Sequence, residues 1–319
     1  MSFSLEKYIS DVARRYDLFD NVAWADIPVP VALAKECAAA RPTAAEIALV
    51  LDDFCVLSGI VTFVATFARP DVAYAAFLLA SYMHAPGPVH LKLARRVLGY
   101  LSRTRAVSIT YHRGDATPSV SFSPLDCGLP DETGAPHVVA DTDHGVRRSV
   151  TGWLFMFAGA AVSWAVRGQL QPALSSAESE LYGLSTATCD LLTCVQTLEE
   201  MQMVFTAPLT LLTDSRGAAL LARDCAVAAR VRHIHRRWYF VRYHIDSGRM
   251  RIVQVKGSLN RANFLTKAVG GAAFAADRAY ALGIRAGGAA RGDRVKPGVA
   301  AWHSDNAPEL VSDEAPQAA

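Results

Sequence analysis

The first third of the chain carries hydrophobic residues at helical spacing. Between residues 5 and 114 they recur every three or four positions, which predicts helices. The uncharged run at residues 54–68 has 15 residues, fewer than the roughly 20 that cross a bilayer, so we interpret it as a core helix. Asp71 is the predicted N-cap of a helix over residues 72–83, and another helix is predicted over 88–102.

The periodicity changes after a segment rich in proline, glycine and serine, residues 113–136, where we place a domain junction. Beyond it, short alternating runs predict three strands that are close enough in sequence to pair as antiparallel hairpins. Helices and strands then alternate. The predicted elements are strands at 137–140, 152–158 and 161–166, a helix at 176–201, a strand at 209–213, a helix after Asp214, a helix at 231–246 and a strand at 250–255.

This order of elements predicts an α/β fold with a mixed sheet, preceded by a mainly helical segment. The end of the chain is rich in alanine, glycine, proline and aspartate without periodicity, which is typical of disorder. We therefore expect a helical segment at residues 1–115, a linker at 116–136, the sheet-containing domain at 137–270, a helix at 271–285 and a disordered tail at 286–319.

Three acidic residues lie where these elements are expected to meet. Asp141 ends one predicted strand and Asp214 ends another, and side chains at the ends of neighbouring strands converge in α/β sheets. Glu180 shares the apolar stripe of the long helix, where a carboxylate is costly unless it meets a cation. If the three converge, their oxygens suit two Mg²⁺ ions that act on a phosphodiester.

Each of these carboxylates also has a purely structural interpretation. Asp214 is well placed to cap the next helix, and Asp141 to cap a turn. The nearby Glu178 fits a capping box with Ser175, so we interpret it as structural.

Net charge is only +2, and 19% of residues are charged, so any nucleic-acid surface must be local. Residues 223–256 form such a patch, with nine arginines or lysines against two aspartates. Trp238, Tyr239, Phe240 and Tyr243 lie within it, a mixture suited to phosphate contacts and base stacking. The alternative is that these aromatic residues pack on the sheet. A serine hydrolase is disfavoured because the chain has no Gly-x-Ser-x-Gly elbow.

Taken in order, the motifs between residues 139 and 267 resemble the ribonuclease H domain of Ty1/copia retrotransposon polyproteins. They are ADTD at 140–143, RRSVTG at 147–152, SW at 163–164, ALSSAESELYGL at 173–184, TDS at 213–215, RHI at 232–234, FVR at 240–242 and NFLTK at 263–267. Upstream, YISD at 8–11, RPDVAY at 69–74, YM at 82–83 and ARRVLGYL at 94–101 resemble the segment that joins the copia-type reverse transcriptase to this nuclease.

The resemblance implies a ribonuclease H-like mixed five-stranded sheet and cleavage of RNA in RNA–DNA hybrids, with Mg²⁺ as cofactor and Mn²⁺ as a substitute. The positions that match the catalytic and metal-binding residues are Asp141, Glu180, Asp214 and Asn263. Asn263 stands where the family has its fourth carboxylate, so we expect weaker metal binding and weaker activity. The expected nucleic-acid contacts are Arg147, Arg148, Arg232, His233, Arg236, Arg237, Arg242 and Lys267.

The chain has no Tyr-x-Asp-Asp motif, so we expect no polymerase site in it, and an upstream reverse transcriptase domain as a partner beside nucleic acid. Scattered cysteines and the absence of a signal peptide or transmembrane segment predict an intracellular protein, nuclear or cytoplasmic, without membrane contact. Two other interpretations stay open: a non-catalytic nucleic-acid-binding remnant of the polyprotein, and a decayed fragment without a role.

Overall fold

A computed structural model describes residues 1–17, 26–112, 136–145, 148–203, 205, 208–223 and 235–284. Most of the predicted linker and the whole predicted tail lie outside these residues. The first part is helical, as its periodicity predicts, and its two short strands pair antiparallel. Its elements are β1 (Ser2–Phe3), α1 (Glu6–Arg15), α2 (Val31–Ala39), α3 (Ala44–Phe67), α4 (Ala73–Ser81), α5 (Pro88–Arg103) and β2 (Ile109–Thr110).

The second part contains a five-stranded mixed sheet with flanking helices, which confirms the predicted fold class. Its strand order is β5-β4-β3-β6-β7, with β3 antiparallel to β4 and parallel to β6. Its elements are β3 (His137–Asp143), β4 (Val150–Phe157), β5 (Ala160–Gly168), α6 (Ser176–Glu200), β6 (Leu209–Thr213), α7 (Arg216–Arg223), α8 (His235–Asp246), β7 (Met250–Gln254), α9 (Asn263–Thr266) and α10 (Gly271–Leu282).

Helices cover both faces of the sheet. Alternate residues of β3 point to opposite faces, so Val138 packs with α6, α7 and α8, whereas Val139 packs with the helical segment, α9 and α10. The indole nitrogen of Trp164 on β5 donates to the carbonyl of Ala65 on α3, 2.7 Å away. The helical segment is therefore one outer layer of an α/β/α arrangement, and the ends of the strands lie between two layers of helices.

Helix α3 is longer than the uncharged run that predicted it, because Thr43 and Glu46 form a capping box that starts the helix earlier. Among the described residues it is the one helix long and apolar enough to cross a membrane, with a mean hydropathy of 2.1 over 18 residues, 33% of them buried. One such helix is weak evidence, since a core helix passes the same test. Phe54, Val61 and Val64 of α3 are fully buried in the core, which supports the core-helix interpretation.

The prediction that Asp71 caps a helix is wrong. Asp71 lies inside a short 3₁₀ helix, and α4 starts after Val72 without a side-chain cap. Its buried carboxylate instead accepts two hydrogen bonds from Arg69, at 2.8 and 2.7 Å, and one from the hydroxyl of Tyr100 at 2.6 Å. Arg69 lowers the pKa of Asp71 against the opposing effect of burial, so the pair is ionised inside the helical layer.

We predict that Asp71→Asn lowers the free energy of unfolding by about 3–5 kcal/mol, because it leaves the Arg69 charge buried without its partner. Urea denaturation followed by circular dichroism measures this change. The control is Asp11→Asn, which removes an exposed ion pair with Arg14 and should cost less than about 1 kcal/mol. Equal losses in the two variants would contradict the assigned role of Asp71.

Candidate metal centre

The register of two parallel strands brings the first two carboxylates together. On β3 and β6, Val139 lies opposite Leu212. Continuing this register by two residues places Asp141 opposite Asp214. Asp141 is 2% exposed and lies on the face of the sheet that α9 covers. The convergence predicted from the sequence is therefore a direct result of the strand pairing.

Glu180 reaches the same point from α6, on the other face of the sheet. The helix comes very close to β3 because residue 183 is a glycine: a Cβ there would lie 2.3 Å from Oγ1 of Thr142. One carboxylate oxygen from each of Asp141, Glu180 and Asp214 lies within 4.8 Å of the others. The structure thus brings together three of the four residues that the resemblance marks as catalytic.

Cationic and hydroxyl groups from the segment around α9 surround Asp141. Thr266 donates its hydroxyl to Oδ2 of Asp141, and the ammonium group of Lys267 lies 3.4 Å from the same oxygen. This approach depends on Gly152 of β4, where a Cβ would lie 2.5 Å from that of Leu265. Lys267, expected to contact nucleic acid, is therefore placed at the carboxylate cluster, and its contact with nucleic acid stays a prediction.

Asn260 is the residue of this site that the motifs missed. Its side chain is buried, and Nδ2 donates to Oδ1 of Asp141 at 3.0 Å, to Oδ1 of Asp214 at 3.1 Å and to the carbonyl of Ala140 at 3.2 Å. A signal was present in the sequence, since Asn260 lies only three residues before Asn263 in a short segment that follows a strand. Asn260 was missed because the sequence was searched for charged groups, and its amide is neutral.

Asn263 uses its amide nitrogen for a different purpose. Nδ2 donates to the carbonyl of Gly257 at 2.8 Å and to the carbonyl of Asn260 at 2.7 Å. These bonds close the segment 257–263 on itself. The amide oxygen is the atom that Asn263 has left to offer to a metal ion.

The three carboxyl groups strongly perturb one another. Burial raises the pKa of Glu180 to about 9, and the negative charges of Asp141 and Asp214 act in the same direction. Burial also raises the pKa of Asp141, although Lys267 and Thr266 oppose this shift. Without a cation, Glu180 is therefore protonated at neutral pH. A bound divalent ion would replace that proton.

The contacts at the start of α6 and of α7 show which residues cap these helices. Ser215, not Asp214, caps α7, because its hydroxyl accepts from the backbone N–H of Ala218 at 3.2 Å. Ser175 caps α6 as predicted, and Glu178 reaches back one residue further than a capping box requires, to the N–H of Leu174. The carboxylate of Asp214 is therefore available to the cluster.

The basic residues expected to contact nucleic acid are only partly available for it. Arg237 packs over the ring of Tyr182, 3.4 Å from its centroid, and Nε of Arg242 donates to both carboxylate oxygens of Asp246, at 2.7 and 2.8 Å. Arg148 and Arg236 are exposed. The remaining three, Arg147, Arg232 and His233, lie outside the described residues.

The aromatic residues of α8 divide between core and surface. Trp238 is buried and Phe240 packs against the sheet core, as the structural alternative predicts. Tyr239 and Tyr243 are 54% and 69% exposed. Some aromatic residues of this helix therefore pack in the core, and others are exposed to solvent.

The chemistry of the donor set fits a hard divalent cation. Three carboxylates at one partly buried point supply oxygen ligands, which Mg²⁺ and Mn²⁺ prefer over nitrogen or sulfur. Burial, and then the charges of Asp141 and Asp214, raise the pKa of Glu180, and a bound cation would oppose both effects. Asp141, Glu180 and Asp214 are the residues that would hold such an ion.

Comparison with known proteins identifies the relatives of this chain. It is 28% identical over 208 residues, 65% of the chain, to the retrovirus-related Pol polyprotein from transposon RE2 of Arabidopsis thaliana, and 28% identical over 201 residues to that from transposon TNT 1-94 of Nicotiana tabacum. The chain is a homologue of Ty1/copia-type Pol polyproteins. No protein-family model matches it, and no solved structure matches it significantly.

The Pol homologue spans only a small part of these relatives, 13% of the RE2 polyprotein and 14% of the TNT 1-94 polyprotein. It is also 32% identical over 130 residues to Secreted RxLR effector protein 161 of Plasmopara viticola and covers 82% of that protein. The similarity to the transposon polyproteins establishes a retroelement origin for the chain.

We predict that Glu180→Gln makes the metal-free Pol homologue more stable at pH 8 than the wild type, with a difference that shrinks toward pH 5. Glu180 keeps its proton up to about pH 9 when folded but loses it near pH 4.3 when unfolded, so rising pH favours unfolding between these values. Thermal melting in EDTA from pH 5 to 9 measures the effect. The pH profile of the control Glu178→Gln should parallel that of the wild type. If the profile of Glu180→Gln also parallels that of the wild type, the burial of Glu180 is contradicted.

Proposed function

We propose that this protein is a retroelement-derived ribonuclease H-like endonuclease that cleaves the RNA strand of RNA–DNA hybrids in the presence of Mg²⁺. The observation that carries the proposal is the convergence of Asp141, Glu180 and Asp214 at one end of a ribonuclease H-like sheet. The relationship to Pol polyproteins supports it.

Each carboxylate has a role in the proposed reaction. Asp141, on the strand between α6 and β6, would bind both metal ions. Glu180 and Asp214 would bind the ion on the side of the leaving group. Bound ions would supply an activated water and stabilise the oxygen that leaves the phosphodiester. Thr266 and Lys267 keep the Asp141 carboxylate oriented by contacting its second oxygen.

Asn263 would support the water-activating ion only weakly in this proposal. Its amide oxygen carries no net charge, and its nitrogen is already bonded to two carbonyls. Exposed Arg148 and Arg236 would contact the phosphates of the hybrid, together with basic residues outside the described part of the chain. A non-catalytic nucleic-acid-binding protein is the second candidate, and the loss of the fourth carboxylate at Asn263 is the observation that favours it.

We predict that purified protein cleaves a labelled RNA–DNA hybrid in Mg²⁺, more strongly in Mn²⁺, and that Asp141→Asn shows no detectable cleavage. The variant removes the charge and one of the two carboxylate oxygens of Asp141, the most buried of the three clustered carboxylates, so its metal affinity falls. Gel electrophoresis of the cleaved RNA strand is the measurement.

The matched control is Glu178→Gln, which neutralises a carboxylate of the same helix that contacts the α6 N-terminus and not the cluster. It should cleave like the wild type. Cleavage by Asp141→Asn at the wild-type rate would refute the assignment of the site. If the wild type is silent in both metals but binds the hybrid with steep salt dependence, the non-catalytic candidate is correct.

A further inference from the structure

Asn260 makes contacts that neither the catalytic motifs nor a packing role explains. The side chain is 1% exposed and its amide nitrogen faces three oxygens at 3.0–3.2 Å. Two of these oxygens belong to Asp141 and Asp214, the carboxylates that extend from neighbouring strands. A single neutral group therefore joins two like charges that would otherwise repel each other.

The orientation of this amide is fixed by the backbone. Its oxygen Oδ1 accepts from the N–H of Ala262 at 3.1 Å, so the nitrogen and not the oxygen must face the carboxylates. Asn260 consequently donates hydrogen bonds into the site. It is not placed to be a metal ligand through its oxygen.

The segment that carries Asn260 is held from a second direction. Arg261 forms an ion pair of 3.1 Å with Asp277, a nearly buried residue of α10. The bonds from Asn263 to the carbonyls of Gly257 and Asn260 add a constraint on the same backbone. Displacement of this backbone away from the site would therefore break contacts on both sides of residue 260.

We propose that Asn260 is a positioning residue that preassembles the metal centre by holding Asp141 and Asp214 at their ligand spacing before a cation arrives. This inference rests on the metal binding of the proposed function and adds a determinant to it. Hydrogen-bonding partners of metal ligands commonly contribute 10–100-fold to metal affinity because they fix ligand orientation. The donor bonds of Asn260 are compatible with a bound ion, since a carboxylate oxygen accepts from more than one direction.

The test compares Mn²⁺ affinity, measured by calorimetry on the whole protein, with thermal stability in EDTA. We expect Asn260→Ala to weaken Mn²⁺ binding by roughly 10–100-fold. The control is Gln169→Ala, which removes another buried amide that donates to Thr151 and to the carbonyl of Ser179 but to none of the three carboxylates. The control should lose stability and keep its Mn²⁺ affinity within about 3-fold. Unchanged Mn²⁺ affinity in folded Asn260→Ala overturns the proposal.

The isosteric variant Asn260→Asp decides the matter if Asn260→Ala does not fold. It replaces the donating nitrogen with a third oxygen that faces two carboxylates, so at pH 8 its melting temperature in EDTA should fall below that of the wild type. Mn²⁺ should then raise its melting temperature by more than it raises that of the wild type. A wild-type melting temperature in EDTA would show that the amide does not donate to the carboxylates.

These readouts separate the inference from the proposed function. If the wild type binds Mn²⁺ but does not cleave the hybrid, the proposed nuclease function is wrong. The Mn²⁺ affinities of the variants still test the role of Asn260. If the wild type does not bind Mn²⁺, the proposed metal centre is wrong. Asn260 then has no metal ligands to position, so this outcome overturns both proposals.

Discussion

The electrostatic cost of three converging carboxyl groups determines which groups must surround them at this end of the sheet. Strand pairing forces Asp141 and Asp214 into neighbouring positions, and the close approach of α6 at Gly183 adds Glu180. The groups that reduce this cost come from the short segment after β7, where Asn260, Thr266 and Lys267 all contact Asp141. These contacts do not offset the cost at Glu180, because burial and then the charges of Asp141 and Asp214 raise its pKa to about 9.

Much of the sheet could be predicted from sequence because its signals are local. Alternation gave three hairpin strands, and β6 has the predicted bounds of 209–213. The identity of Asp141, Glu180 and Asp214 as a cluster followed from their positions at element ends. Asp71 was misassigned because the burial of its ion pair with Arg69 involves a contact with Tyr100, 29 residues away in sequence.

The packing of the helical segment could not be predicted for the same reason. Periodicity shows which face of a helix is apolar but not what covers it. In the structure that face meets the sheet, and two polar links continue from it toward the metal centre. Arg278 of α10 donates to the hydroxyl of Tyr100 at 3.1 Å, and its neighbour Asp277 pairs with Arg261. The buried ion pair of the helical layer and the carboxylate cluster are therefore connected through α10.

The contrast between Asn260 and Asn263 shows why a linear motif is an incomplete guide to a site. Asn263 occupies the place of a carboxylate in the motif, yet its amide nitrogen donates to the carbonyls of Gly257 and Asn260. An ionised aspartate has no hydrogen to donate and would face those carbonyls with repulsion. The amide at position 263 thus stabilises a conformation of segment 257–263 in which Asn260 points at the carboxylates. The substitution removes a charge from the expected ligand set, but it also supports Asn260, whose neutral amide bridges Asp141 and Asp214.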